Sequence, residues 1–276
     1  MLNPLIQKLE RGARLTNDDR QVLQTAVLRS QHVGARKDLI REGDVPDNVH
    51  LILNGFACRY KMMPNGQRQI MAYLVPGDLC DLHVSILGEM DHSIATLCPC
   101  EVVFLPRSTI EDLTEKHSRI HRALWWATLV DEAILREWIV NMGRRPADRK
   151  LAHLLCELLM RLQAVGLATD NSYDFSVTQA DLGDTLGLTS VHVNRVLQQL
   201  RSDGLIALKG RNLVINDVER LKAFAEFNPN YLHLTRRERD RSGTETGAVA
   251  AERGPSPSVT DALARSLADR PPAQPE

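Results

Sequence analysis

Residues 178–200 of this chain read TQADLGDTLGLTSVHVNRVLQQL. Thr178 precedes an apolar-periodic segment and Asp181 follows three residues later, which is the spacing of a helix capping box. Gly187 falls where a tight turn between two helices needs a positive φ. Thr189 is a suitable cap for the second helix. The stretch therefore predicts two helices joined by a tight turn.

The second of these helices has an apolar side and a polar side. Its predicted inner stripe is Val193, Val196, Leu197 and Leu200, and the outward positions are Ser190, Val191, Asn194, Arg195 and Gln198. The N-terminal and middle parts of such a helix enter the DNA major groove, where Asn reads adenine and Arg reads guanine. Thr178, Gln179 and Thr189 complete the expected DNA-binding set, with His192 as a phosphate contact.

Residues 205–215, LIALKGRNLVI, predict a hairpin after the second helix. Its tip carries Lys209 and Arg211, which suits a wing lying along the phosphate backbone. Residues 189–211 hold four basic side chains and one acid, although the whole chain has a net charge of −1. The alternative is an ordinary helical hairpin with solvated charges. The combination of caps, glycine and wing favours a winged helix-turn-helix that binds double-stranded DNA.

Short strand-like segments fill residues 35–105. Asn54-Gly55 and Pro64-Asn65-Gly66 separate apolar runs, and Asn-Gly between such runs is a strong hairpin signal. Strands at this spacing are typical of a sandwich, roll or barrel rather than of a parallel sheet.

A long helix is predicted from residue 118 to residue 142. Three- and four-residue steps connect a mostly apolar stripe: Ile120, Leu124, Ala127, Asp131, Ile134, Trp138 and Asn141. We interpret this stripe as the seam of a homodimer, in which Asp131 and Asn141 fix the register. The alternative is packing against the chain's own β-domain. Gly143 and Pro146 end this helix before another at 147–164.

These motifs resemble those of the cyclic-AMP receptor protein/fumarate-nitrate regulator (Crp/Fnr) superfamily, over roughly residues 20 to 225. The resemblance implies an α+β chain: a cyclic-nucleotide-binding-like β-roll (double-stranded β-helix) at 20–117, a dimerisation helix at 118–142 and a winged helix-turn-helix at 144–225. It implies transcription regulation at paired half-sites and contact with RNA polymerase. Family members of the best-known type have a Glu where this chain has Val191, so the half-site preference should differ.

The resemblance also locates an effector pocket, at Gly77, Asp78, Cys80, Asp81, His92 and Ser93. Residues 76–82 are similar to the family's phosphate-binding cassette. Asp81 stands where relatives carry a Glu for the ribose, and His92 stands where they carry an Arg for the cyclic phosphate. Imidazole does not reproduce a bidentate guanidinium contact. We therefore expect no cyclic-AMP binding, and either another small-molecule effector or none.

The alternative function is a cyclic-nucleotide- or small-ligand-gated binding module, which the helix-turn-helix and the loss of the phosphate-binding Arg disfavour. Several further classes of function are also disfavoured. No cysteine precedes Cys58, so the N-terminal iron–sulfur ligands of oxygen-sensing relatives are absent, and we expect no cofactor and no metal. The scattered histidines form no catalytic motif, so we expect no enzyme. No apolar run reaches the ~18 residues of a membrane helix and no signal-peptide core is visible, so we expect a cytoplasmic protein. Residues 236–276 are rich in Arg, Glu, Gly, Ser and Pro, which predicts disorder.

Overall fold

The structure is a computed structural model that describes residues 3–82 and 84–234. The tail predicted to be disordered, 236–276, lies outside these residues. Two helices, α1 (Pro4–Gly12) and α2 (Asn17–Ala26), precede the first strand. The Asn3 side chain accepts a hydrogen bond at the start of α1, and Thr16 with Asp19 forms a capping box on α2. No helix within the described residues is long and apolar enough to cross a membrane.

Seven strands then build the predicted β-roll. They are β1 (Ser30–Val33), β2 (Asp38–Ile40), β3 (Asn48–Asn54), β4 (Ala57–Met62), β5 (Arg68–Leu74), β6 (Ser93–Thr96) and β7 (Cys100–Pro106). One antiparallel sheet has the order β1-β7-β3 and the other has the order β2-β6-β4-β5. The Pro64-Asn65-Gly66 turn joins β4 and β5 in an antiparallel hairpin, as predicted. The hairpin predicted at Asn54-Gly55 was wrong, because this turn passes from one sheet to the other: β3 pairs with β7, and β4 pairs with β5 and β6. Gly55 has φ +88°, and a Cβ there would lie 2.6 Å from the Pro99 carbonyl oxygen, so only glycine fits this turn.

Helix α3 (Val84–Leu87) lies between β5 and β6. Helix α4 (Arg107–Lys116) follows β7 and leads to the long helix α5 (Ser118–Arg144). The apolar stripe assigned to a dimer seam is buried within its own chain: Ile120, Leu124, Ala127, Ile134, Trp138 and Asn141 are each less than a tenth exposed. The seam assignment was therefore wrong. The stripe packs against the roll and the N-terminal helices because those elements offer a matching apolar surface in the same chain.

The polar members of that stripe also have partners in the same chain. Asp131 forms ion pairs with Arg59 at 3.3 Å and with Lys8 at 3.8 Å. The Asn141 amide donates a hydrogen bond to the Lys150 carbonyl oxygen at 3.3 Å. Both side chains therefore join elements of one protomer, and neither is free to set the register of a seam.

The C-terminal part is a winged helix-turn-helix. Its elements are α6 (Ala147–Ala164), β8 (Ser172–Asp174), α7 (Gln179–Leu186), α8 (Ser190–Ser202), β9 (Ile206–Lys209), β10 (Asn212–Ile215), α9 (Val218–Ala225) and a 3₁₀ helix (Pro229–Leu232). The wing sheet has the order β8-β10-β9. Strand β8 was missed because three residues are too few to show alternation. The predicted α+β fold is confirmed in its main elements.

One continuous apolar core joins the roll to the winged helix. It contains side chains from β5, α5, α6 and α8. The rings of Tyr73 and Trp138 lie 5.9 Å apart in this core, in an edge-to-face arrangement. The orientation of the winged helix-turn-helix therefore depends on its contacts with the roll.

Candidate DNA-binding interface

Local hydrogen bonds define the two helices of the motif. The Asp181 amide donates to Thr178 Oγ1 at 3.2 Å and the Thr178 amide donates to Asp181 Oδ2 at 3.1 Å, which confirms the capping box. Gly187 ends α7 with φ +66°. A Cβ on Gly183 would lie 2.6 Å from the Leu188 carbonyl oxygen, so only glycine allows this close approach.

Helix α8 presents the predicted outward face to solvent. Thr189 accepts a hydrogen bond from the His192 amide at 3.2 Å and so caps this helix, while the predicted inner stripe is buried. Ser190, Val191, Asn194, Arg195 and Gln198 are all exposed, as are Thr178, Gln179 and Thr189 at the helix starts. Val191 is 81% exposed, which is unusual for an apolar side chain and suits contact with an apolar group outside the protein.

The two basic residues of the wing are in different situations. Lys209 is exposed at the end of β9. Arg211 donates to Asp174 at 2.9 Å and to the hydroxyl of Ser176. To contact a phosphate, Arg211 has to exchange or share its ion pair with Asp174. Lys209 forms no ion pair among the described residues, so a phosphate meets no competing carboxylate there. Lys209 is accordingly the simpler candidate for a backbone contact.

A cavity of about 320 Å³ lies between the roll, α1 and α5. Gly77 and His92 line it, and the other four residues of the expected effector pocket do not. Cys80 is fully buried, and Ser93 Oγ accepts a hydrogen bond from the Glu42 amide at 3.0 Å. Burial lowers the pKa of the His92 imidazole, which favours its neutral form.

The two carboxylates of the expected pocket point elsewhere. Asp81 is fully buried and accepts hydrogen bonds from the His50 amide at 2.9 Å and the His50 ring at 3.1 Å. Asp78 contacts Lys8 at 2.7 Å and Arg161 at 2.6 Å. Burial alone would raise the pKa of Asp78, but the charges of Lys8 and Arg161 outweigh it and bring the pKa to about 2.

The charges that line the cavity are mixed. Arg59 donates to the Cys80 carbonyl oxygen at 2.8 Å and to Asp131 at 3.3 Å. The cavity wall carries the cations Lys8 and Arg59 and the carboxylates Asp91, Asp131 and Glu132. Carboxylates therefore outnumber cations, and both cations are already paired. Within residues 3–82 and 84–234, no three His, Cys, Asp or Glu side chains group as metal ligands.

The family models and the relatives that match this chain agree with its two-part structure. The model of the cyclic nucleotide-binding domain matches residues 30–117, and that of the Crp-like helix-turn-helix domain matches residues 149–224. The transcriptional activator protein FnrL of Cereibacter sphaeroides is 30% identical over 193 residues, which cover 68% of this chain and 76% of that protein. The chain belongs to the Crp/Fnr superfamily. It is a transcription regulator with a helix-turn-helix DNA-binding domain.

Two further relatives of this Crp/Fnr regulator share most of its length. The nitrogen fixation regulation protein FixK of Bradyrhizobium diazoefficiens is 27% identical over 197 residues, or 71% of this chain and 82% of that protein. The structure of FixK2 from Bradyrhizobium japonicum aligns with a TM-score of 0.64 and 25% identity, over 71% of this chain and 96% of the other.

Sequence reasoning missed a buried ionic network in this Crp/Fnr regulator. Arg161 on α6 contacts Asp78, the Tyr73 carbonyl oxygen at 2.9 Å and Glu157 at 3.1 Å. Glu157 is fully buried and also accepts from the Trp138 ring and the Tyr231 hydroxyl. One signal was available: Glu157 and Arg161 stand four residues apart and are the charged positions in the otherwise apolar run 154–162.

Proposed function

We propose that this Crp/Fnr regulator binds paired DNA half-sites as a homodimer and reads each half-site with the exposed face of α8. The proposal rests on the exposed face of α8. Asn194, Arg195 and Gln198 are exposed there, on a capped helix beside a basic wing. The proposed domains are the sensor at 20–117, the dimerisation helix at 118–142 and the DNA-binding domain at 144–225.

The test is selection of bound fragments from a random DNA pool by the full-length protein. Enrichment of two copies of one motif at fixed spacing supports the proposal, and a single unpaired motif contradicts it.

Helix α5 offers a second face for the dimer. Its exposed apolar side chains are Trp125, Leu129, Leu135, Ile139 and Val140. At 100° per residue these positions lie on one side of the helix, with the Glu132–Arg136 ion pair among them. Ile139 is 73% exposed and Trp125 is 61% exposed, so burial against the same face of a second copy removes a large apolar area from water.

Two further parts of the proposal follow from the family. Relatives that are named activators support RNA polymerase as a partner. The relatives are regulators, so we propose no catalytic role, and we infer a cytoplasmic location because a regulator acts where the genome is.

Replacing Arg195 with alanine is expected to weaken operator binding by about 1–3 kcal/mol and to relax the preference at one base position in each half-site. Lys209→Ala is the matched control: it should weaken binding to all sequences alike and reduce the salt dependence by about one unit, as expected for one phosphate contact. Binding is measured on single-base variants of the selected operator at several salt concentrations. An Arg195→Ala protein that keeps the wild-type base preference would identify Arg195 as a backbone contact.

Cyclic AMP and cyclic GMP are not expected to be effectors of this protein. His92 replaces the phosphate-binding arginine, Asp81 is held by His50, and Arg59 is held by Asp131. Neither nucleotide should raise the melting temperature at millimolar concentration, whereas a ligand at one hundred times its Kd adds about 2.7 kcal/mol of stability. AMP serves as the non-cyclic control in the same thermal scan. A saturable rise specific to a cyclic nucleotide would contradict this expectation.

A further inference from the structure

Strand β5 of the sensor domain lies directly against α7 of the DNA-binding domain. Arg68, Gln69 and Tyr73 of this strand each donate a hydrogen bond to α7. Three side chains, spread along the strand, therefore make this contact. It joins the sensor to the first helix of the helix-turn-helix.

Arg68 binds two carboxylates of α7 at once. Its Nη2 donates to Asp181 at 2.5 Å and its Nε donates to Asp184 at 2.8 Å. Asp181 is fully buried, and its other oxygen takes part in the capping box with Thr178. Arg36 lies 3.9 Å from Asp181 but is more than half exposed, so Arg68 is the principal cation at this carboxylate. A guanidinium suits this arrangement because it offers several donors in a fixed plane.

Gln69 and Tyr73 form hydrogen bonds with Thr185, near the C-terminal end of α7. The Gln69 amide donates to the Thr185 carbonyl oxygen at 3.2 Å, and such C-terminal carbonyls have no partner inside a helix. The Thr185 hydroxyl donates to the Asp181 carbonyl oxygen, so the buried Tyr73 hydroxyl is the donor to Thr185 at 2.6 Å. Strand β5 thus contacts both ends of α7.

The direction of α8 follows that of α7. Helix α7 has eight residues, which is too short to be stable alone in water. Gly183 allows the backbone of residue 188 to pack against it, and Gly187 completes a turn that leaves little freedom between the helices. The contacts with β5 leave the outward face of α8 exposed. Contacts that orient α7 therefore orient the DNA-reading helix while it remains accessible.

We propose that Arg68 is a positioning residue for operator recognition: through Asp181 and Asp184 it fixes the angle of α8 relative to the sensor domain and so sets the half-site spacing that the dimer accepts. The inference rests on the proposed homodimer. Two recognition helices must enter major grooves about one helical turn apart, and a fixed angle restricts the spacings that satisfy this requirement.

The experiment uses the full-length protein and paired operators from the selection, with the spacer lengthened or shortened by one or two base pairs. Arg68→Gln should reduce the penalty for a wrong spacer by roughly tenfold, a factor typical of coupling between two sites. Asp184→Asn should act in the same direction and leaves the capping residue Asp181 intact. Arg41→Gln is the matched control, because the Arg41–Asp38 ion pair lies within the roll and should leave the spacing profile unchanged. Amide hydrogen exchange of residues 179–186 in the absence of DNA should be faster in Arg68→Gln than in Arg41→Gln.

Each outcome has a separate meaning. Wild-type spacing profiles in both Arg68→Gln and Asp184→Asn overturn the positioning role. Equal loss of affinity for paired and single half-sites overturns it as well, because that result assigns Arg68 to general stability. Faster exchange in Arg68→Gln, combined with a wild-type protein that selects no paired half-sites, would instead overturn the homodimer proposal and the role in spacing with it, while the contact between β5 and α7 would stand.

Discussion

Replacing Arg161 with alanine is expected to lower the free energy of unfolding by about 3–5 kcal/mol, because the change leaves the buried Glu157 carboxylate without its cation. Arg161 is the only side chain shown to bridge Asp78 and Glu157 among the described residues. Glu157 is fully buried, and burial raises the pKa of this carboxyl. After the substitution, Asp78 retains Lys8, whereas among the described residues Glu157 retains the neutral donors Trp138 and Tyr231.

The measurement is urea denaturation of the variant beside two others. Arg136→Ala is the matched control: its ion pair with Glu132 is exposed on both sides, so the change should cost less than about 1 kcal/mol. Arg161→Met combined with Glu157→Gln removes both charges and should recover part of the loss. A change below about 1 kcal/mol in Arg161→Ala would show that the network does not stabilise the fold.

Replacing both Leu129 and Ile139 with aspartate should convert the proposed dimer into a folded monomer and weaken binding to paired half-sites by about 10²–10⁴-fold. Linked binding of two half-sites gains this much over separate binding events. Both side chains are exposed on the same face of α5, so the aspartates would be solvated in the monomer and would repel each other in the dimer.

Light scattering gives the mass, and far-ultraviolet circular dichroism shows whether the variant is folded. Leu28→Asp is the control, because Leu28 is 71% exposed but lies outside α5. In contrast, aspartates at Leu124 and Ile134 should unfold the chain, since both side chains are buried within it. A folded Leu129→Asp/Ile139→Asp protein with unchanged dimer mass would rule out this face as the interface.

The sequence by itself determined the elements whose signals are local. Thr178 with Asp181, Gly187 and Thr189 predicted the helix-turn-helix because a cap or a tight turn depends on residues within a few positions of one another. The Pro64-Asn65-Gly66 turn predicted the β4–β5 hairpin for the same reason. The Asn54-Gly55 turn gave the same local signal, but its two strands pair with other strands in separate sheets. The exposed side of α8 followed from its helical period. An apolar stripe on one side of a helix faces the core, so the opposite side faces water.

Only the tertiary structure decided which partner covers each face. Helix α5 carries one apolar stripe through Leu124 and Ile134 and another through Leu129 and Ile139, and periodicity does not distinguish packing within a chain from packing between chains. Periodicity also does not identify the partners of charged side chains. Arg68 meets Asp181 across 113 positions, and Arg161 meets Asp78 across 83. Such contacts depend on how distant elements are brought together, and no local pattern in the sequence records that arrangement.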